Sequence, residues 1–250
     1  MTTQFVKTEL TSERTVLRID RLDHRNRINE AAIGQLRDGL RRAHELESPL
    51  VVLTGTDDLF CTGGAVDGYP AEFSVERHQA YSRAFVDLLI DMGRSRIPII
   101  ARVNGDCLAG GTMLLNRCDL AIAVDSAEFG LPELEFGGFP MLALATAIEQ
   151  FPAKLIFDMA YLGRRISASE ALGLHLINRV VPADQLDLEL DSVAAILRSR
   201  SSASIGFGRQ AFYSLLRDQT EARLEQARAE LTVSAASQAV RGAAEAPARG

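Results

Sequence analysis

At 250 residues and 47% hydrophobic composition, the chain is long enough for one large α/β domain, or one domain with a helical appendage. A net charge of −6 argues against a protein that coats nucleic acid, and the longest apolar run, near FPMLALATAI, is far short of the roughly 20 residues of a membrane span. Three cysteines (Cys61, Cys107 and Cys118) without a Cys-x-x-Cys pair argue against a disulfide framework or a zinc site, and the lysines Lys7 and Lys154 lack the context of a Schiff-base nucleophile.

The opening MTTQFVKTEL has no charged-then-apolar signal pattern, which predicts a cytoplasmic protein. TVLRID (15–20) reads as a strand, and 29–46 carries the apolar period of an amphipathic helix. PLVVLTG (49–55) is a buried strand followed by an irregular stretch over 56–70. A long helix is predicted over 74–93, ended by a glycine. IPIIARVNG (97–105) is another strand, then a short helix starts at Gly110–Gly111, and CDLAIAVD (118–125) is a strand. Strand–helix–strand alternation predicts parallel pairing and an α/β core covered by helices. Helical patterns dominate 141–172, LINRVV (176–181) is a last short strand, and two or three helices are expected over 183–235. The expected organisation is a β/α core over 1–180 and a helical C-terminal region over 181–250, its small-residue tail disordered.

Two buried strands each run into a glycine-bearing turn, FCTGGA (60–65) and LAGGT (108–112). Glycine lets backbone N–H groups approach a ligand with no Cβ in the way. Two such groups converging on one point form an oxyanion hole, which stabilises charge building on a carbonyl oxygen. Spacing alone leaves two readings open: this one, or two close-packed turns with no ligand. Glu133, in GLPELEFGG, reads from the residues alone as a first-turn carboxylate after Pro132, favourable at a helix N-terminus.

Taken in order, LTGTDDLFCTGGAVD, ARVNGDCLAGGTMLLNRCDLAIA, AEFGLPELEFGGFP and RRISASEALGLHLINRVVP resemble the crotonase (enoyl-CoA hydratase/isomerase) superfamily, over about residues 20–238. The resemblance implies a ClpP/crotonase fold of repeated ββα units with a helical C-terminal trimerisation region, assembled as a homotrimer or homohexamer. It implies an acyl-CoA thioester as substrate; the sequence shows no metal cluster or dinucleotide-binding pattern, so no metal and no cofactor beyond that CoA are expected, and no nucleic-acid or membrane partner. Carried over by position, Gly64 and Gly110 are the oxyanion donors and Glu133 is the acid/base. Thr62, Ala65 and Val66 would lie along the adenine and pantetheine, and Arg25, Arg27 and Arg209 are candidates for CoA phosphates.

The chain departs from the hydratase pattern at Met113, where family hydratases carry a second glutamate. Hydration needs an activated water and a delivered proton, a task two carboxylates share, and Met113 transfers no proton. The expectation is therefore an isomerase-like catalyst moving one proton with Glu133. The alternatives are a hydratase, lyase or hydrolase with a relocated second group, Glu135 or Asp67, and a binder of acyl-CoA that does not turn it over. His78 is read as structural, and Asp119 and Asp125 as turn residues.

Overall fold

The computed structural model describes residues 3–65 and 74–245, with the side chains of 217–218 and 238–245 left aside. Among the described residues ten strands and eight helices follow in order: β1 (Val6–Leu10), β2 (Thr15–Ile19), α1 (Glu30–Glu45), β3 (Val51–Thr54), β4 (Leu59–Cys61), α2 (Val75–Arg94), β5 (Ile99–Val103), β6 (Asp106–Leu108), α3 (Gly110–Leu115), β7 (Leu120–Val124), β8 (Glu128–Gly130), α4 (Met141–Ala147), α5 (Ala153–Leu162), β9 (Arg165–Ser167), α6 (Ala168–Gly173), β10 (Arg179–Val181), α7 (Leu186–Arg198) and α8 (Ser202–Glu245).

The strands sort into two sheets. A six-stranded sheet has the order β1-β2-β3-β5-β7-β10, parallel except for the antiparallel β1–β2 edge. A four-stranded sheet has the order β4-β6-β8-β9, parallel except for β8–β9. Successive strand pairs β3/β4, β5/β6 and β7/β8 each give one strand to the large sheet and one to the small, and a helix follows each pair. The repeated ββα unit expected of the fold is thus present, and each repeat delivers one short strand to the same small sheet.

Burial follows the apolar pattern. Along α1 the buried side chains are Ala32, Ile33, Leu36, Leu40 and Ala43, one stripe at helical period. Asn29 caps this helix by accepting from the Ala32 N–H, a contact worth about 1 kcal/mol. Ser74 caps α2 in the same way, accepting from Arg77 N–H. In the large sheet β3 and β5 present Val51, Val52, Leu53, Ile99, Ile100 and Ala101, all buried, as a parallel sheet covered on both faces requires.

The C-terminal part differs in extent from the expectation. α7 is followed by a single long helix, α8, which runs to Glu245 instead of ending near 235. Its glycines at 206 and 208 cost helix propensity without breaking it, because the helix lies against α2 and α4. Arg94–Glu221 at 2.9 Å and Arg83–Glu225 tie α2 to α8, and Arg223–Glu149 ties it to the end of α4. Of the tail AAEAPARG (243–250) expected to be disordered, 243–245 close α8, a correction to that expectation, and 246–250 lie outside the described residues. Among the described residues no helix is long and apolar enough to cross a membrane.

Candidate active site

The small sheet sets the site. β4, β6 and β8 are adjacent and parallel, so their carboxyl ends lie side by side, about 4.8 Å from one strand to the next. Gly64 follows the end of β4, Gly110 follows the end of β6, and Glu133 follows the end of β8. Three segments far apart in sequence are delivered to one edge by strand pairing alone.

Gly64 and Gly110 face each other across that edge. A Cβ built on Gly110 would lie 3.2 Å from the Gly64 nitrogen and 3.1 Å from the Gly63 carbonyl carbon. One built on Gly63, where φ is +130°, would lie 3.9 Å from the Gly110 nitrogen. The 63–65 loop is held by a bridge to Ile28: Ile28 N–H donates to the Gly63 carbonyl at 3.0 Å, and Ala65 N–H to the Ile28 carbonyl at 2.8 Å. Gly64 itself is exposed, and neither its N–H nor that of Gly110 donates a bond within the described residues. Ala109, just before Gly110, adopts φ 50° and ψ −117°, a conformation that a residue with a Cβ rarely takes. Its N–H donates to the Gly130 carbonyl at 2.9 Å, and the Thr112 hydroxyl donates to the same oxygen at 3.3 Å. That double anchor joins the start of α3 to the end of β8, three residues before Glu133.

Glu133 lies in a short 3-10 segment, Pro132–Phe136, with Pro132 as its first residue and Gly137 closing it at φ +79°. The residue as a whole is half-buried, but its Oε2 is shut off from solvent and has no hydrogen-bond partner among the described residues. Burial therefore pushes the carboxyl up from the usual 4.5 to about 7, against a smaller downward pull from its own backbone N–H. A carboxyl that is half-ionised near neutrality, with one oxygen buried and free, is poised to accept or give a proton. Met113, one turn into α3 from Gly110, is 5% exposed and packs in the apolar core. Glu135, the nearest alternative carboxylate, is exposed and points to the turn at Gly163: its Oε1 would lie 2.8 Å from a Cβ there. Asp67, the other alternative, and Val66 lie outside the described residues.

Arg25, Arg27, Thr62 and Ala65 are brought together on one rim. Arg25 and Asn26 both take left-handed backbone, at φ 54° and 52°, and the Thr62 hydroxyl donates to the Arg25 carbonyl at 2.5 Å. Asn26, buried, donates from Nδ2 to the Leu59 carbonyl at 2.8 Å, which pins this turn to β4. Both arginine side chains are exposed beside the glycine loop, where an anionic ligand could reach them.

Arg209 does not join them. It is 8% exposed, and all three of its guanidinium nitrogens are engaged inside the protein. Nε donates to Asp119 at 2.8 and 3.0 Å, Nη2 donates to the Met92 carbonyl at 2.8 Å, and Nη1 donates to the Ser95 carbonyl. The guanidinium also lies 4.6 Å from the Tyr213 ring centroid. The expectation that Arg209 meets a CoA phosphate is therefore corrected: it clamps α8 to the end of α2. Asp119, read as a turn residue, is the other half of this clamp and also accepts from Ile99 N–H at 2.7 Å. Arg209→Met is expected to lower folding stability by about 3 kcal/mol in denaturant titrations, leaving the KM for any acyl-CoA within about twofold.

A model of the enoyl-CoA hydratase/isomerase family matches residues 12–246. Among curated relatives, the rat enoyl-CoA hydratase domain-containing protein 3, mitochondrial, is 30% identical over 196 residues, covering 77% of this chain and 64% of that protein. The chain thus spans just under two thirds of the length of that relative. The enoyl-CoA hydratase EchA19 of Mycobacterium tuberculosis is 34% identical over 139 residues, covering 54% of this chain and 52% of its own. A solved enoyl-CoA hydratase of Mycobacterium smegmatis is similar at a TM-score of 0.80 and 26% identity, over 91% of this chain and 90% of that one. An enoyl-CoA hydratase/isomerase of Xanthobacter autotrophicus Py2 shares the fold at a TM-score of 0.84 and 24% identity, over 93% and 88% of the two chains.

Proposed function

The chain belongs to the enoyl-CoA hydratase/isomerase family, and from that premise we propose that it processes an acyl-CoA thioester by moving a single proton with Glu133. Gly64 and Gly110 N–H groups receive the thioester oxygen. As the C2 proton leaves, charge builds on that oxygen, and two fixed donors stabilise it more than they stabilise the neutral carbonyl. Glu133 takes the proton from C2 of a 3-enoyl-CoA and returns it to C4, so the double bond moves from C3–C4 to C2–C3. No atom is gained or lost, and the carboxyl ends as it began. A group that titrates at about 7 suits both halves of the task, since it is neither too weak a base nor too weak an acid at neutral pH.

The observation that carries this reading is the pairing of the Glu133 carboxyl, whose Oε2 is buried and without a partner among the described residues, with a buried Met113. Water addition to a 2-enoyl-CoA asks for a second group, and Glu135 is turned toward Gly163. The names of the relatives favour the hydratase reading, so the deciding experiment separates the two. The purified protein is incubated with 3-enoyl- and 2-enoyl-CoA esters of several chain lengths in deuterated, oxygen-18 water, and products are weighed by mass spectrometry. Conversion of 3-enoyl- to 2-enoyl-CoA without oxygen-18, the isomers being separated by chromatography, is the expected result, with deuterium entering to the extent that the Glu133 carboxyl exchanges with solvent before it returns the proton. Oxygen-18 in the product would assign water activation to this site and overturn the single-base reading. Binding with neither label and no movement of the double bond would make the chain a CoA-ester binder.

Arg25 and Arg27 are assigned to the CoA phosphates, and the loop at Thr62, Ala65 and Val66 to the adenine and pantetheine. The exposed rim beside the glycine loop supports that assignment. The homotrimer or homohexamer implied by the resemblance belongs to the same proposal. Exposed Phe207, Phe212 and Leu215 on α8 support it, being apolar side chains that a subunit contact would cover.

A further inference from the structure

Behind both donor glycines lies one face of α2. Tyr81 and Phe85 sit one turn apart there, both buried, with rings edge to face at 6.1 Å and 74°. A Cβ built on Gly64 would fall 2.1 Å from the Tyr81 hydroxyl oxygen, and one built on Gly110 would fall 3.1 Å from Phe85 Cε1. Each ring therefore abuts one of the two glycines. The Tyr81 hydroxyl donates to the Ile28 carbonyl at 3.2 Å, the same oxygen that accepts from Ala65 N–H. One carbonyl thus joins α2 to the residue after Gly64.

We propose that Tyr81 and Phe85 form a bracket on α2 that fixes the spacing and aim of the Gly64 and Gly110 N–H groups, with Tyr81 as a positioning residue for the thioester oxygen. The proposal rests on the oxyanion reading given above. Donors stabilise a transition state in proportion to how little they must move when charge develops. A glycine loop has no side chain with which to anchor itself, so its stiffness comes from whatever packs against it. Gly64 and Gly110 come from different strands, and two rings held on one helix give both a common reference. Burial pushes the Tyr81 phenol above its ordinary range, which keeps its proton in place and its bond to Ile28 intact at working pH. Its part is to hold, and it does not exchange a proton with substrate.

The test uses the full chain and butanoyl-CoA carrying carbon-13 at the thioester carbonyl, whose stretching frequency falls as the carbonyl is polarised. Infrared difference spectra of the bound thioester are compared for the wild type, Tyr81→Phe and Phe85→Leu. Tyr81→Phe is expected to keep roughly half of the downshift or less, and to lose about tenfold in kcat with KM within about twofold. Phe85→Leu keeps an apolar side chain without the ring edge and is expected to lose a similar share, so the test survives if one variant fails to fold. A full downshift in folded Tyr81→Phe overturns the bracket and leaves the oxyanion reading standing. No downshift in the wild type overturns both.

Discussion

Glu133→Gln is expected to lower kcat about 10³-fold while KM moves little, because the amide keeps the shape of the carboxyl but takes no proton. The loss is large because α3 carries Met113 where a second carboxylate would share the work. Steady-state kinetics on the substrate found by isotope labelling checks it, and unchanged turnover would remove Glu133 from the mechanism. In the wild type, kcat/KM is expected to rise with pH through about 7, as the free carboxyl ionises and becomes a base.

The same substitution should make the protein more stable at alkaline pH. Below about 4.5 the carboxyl is protonated in folded and unfolded chains alike. As pH rises from there to about 7, the unfolded chain gives up its proton while the folded one holds it, so wild-type stability falls. Above the folded pKa the buried charge is carried in full and the loss levels off. Glutamine has no such penalty. Its stability advantage over the wild type should therefore widen by about 2 kcal/mol between pH 5 and pH 8, read from denaturant midpoints at each pH. A variant that is less active and more stable is the signature of a residue kept for chemistry.

Five strands of the large sheet, β2, β3, β5, β7 and β10, and the helices α1 and α2 were legible because their signals are local. VVLT and IIARV are apolar runs of a kind that only a strand covered on both faces needs, and α1 repeats its buried positions at helical period. The small sheet was not. β4, β6, β8 and β9 are three residues each, too short for any alternation, and pairing with one another is what specifies them. β1 (VKTEL) was passed over because an edge strand with one buried position reads as polar coil. The site inherits this limit, since the convergence of Gly64, Gly110 and Glu133 is produced by the sheet that was missed.

Individual residues divide in the same way. The glycine turns announced close backbone approach, but their partners did not announce themselves: Tyr81 and Phe85 look like any core aromatics at helical spacing. Arg209 was misread because an arginine in GFGRQAF carries no sign of its burial; Asp119, 90 positions earlier, supplies its partner. Glu133 was found by its place in a family pattern, and its elevated pKa is a property of packing around Oε2 that no local sequence encodes.

The paired glycines of α3 allow a sharp separation of chemistry from folding. Gly110→Ala is expected to fold and to lose about 10²-fold in kcat or more with KM little changed. The new Cβ would stand 3.1 Å from the Gly63 carbonyl carbon and from Phe85 Cε1, and 3.2 Å from the Gly64 nitrogen. Those contacts are tight by only a few tenths of an ångström, so the 63–65 loop shifts away and the fold survives, at about 1–2 kcal/mol. That shift moves one oxyanion donor relative to the other, and the charged intermediate is what depends on their convergence. Gly111→Ala is the contrasting case. Its Cβ would stand 2.1 Å from the Cys61 carbonyl oxygen, which is backbone of β4 and cannot swing aside. Loss of soluble, cooperatively unfolding protein is the expected outcome there, monitored by circular dichroism. If Gly110→Ala instead kept full turnover in a folded protein, turnover would not depend on the fine spacing of the two N–H groups, and the missing Cβ at 110 would serve packing alone.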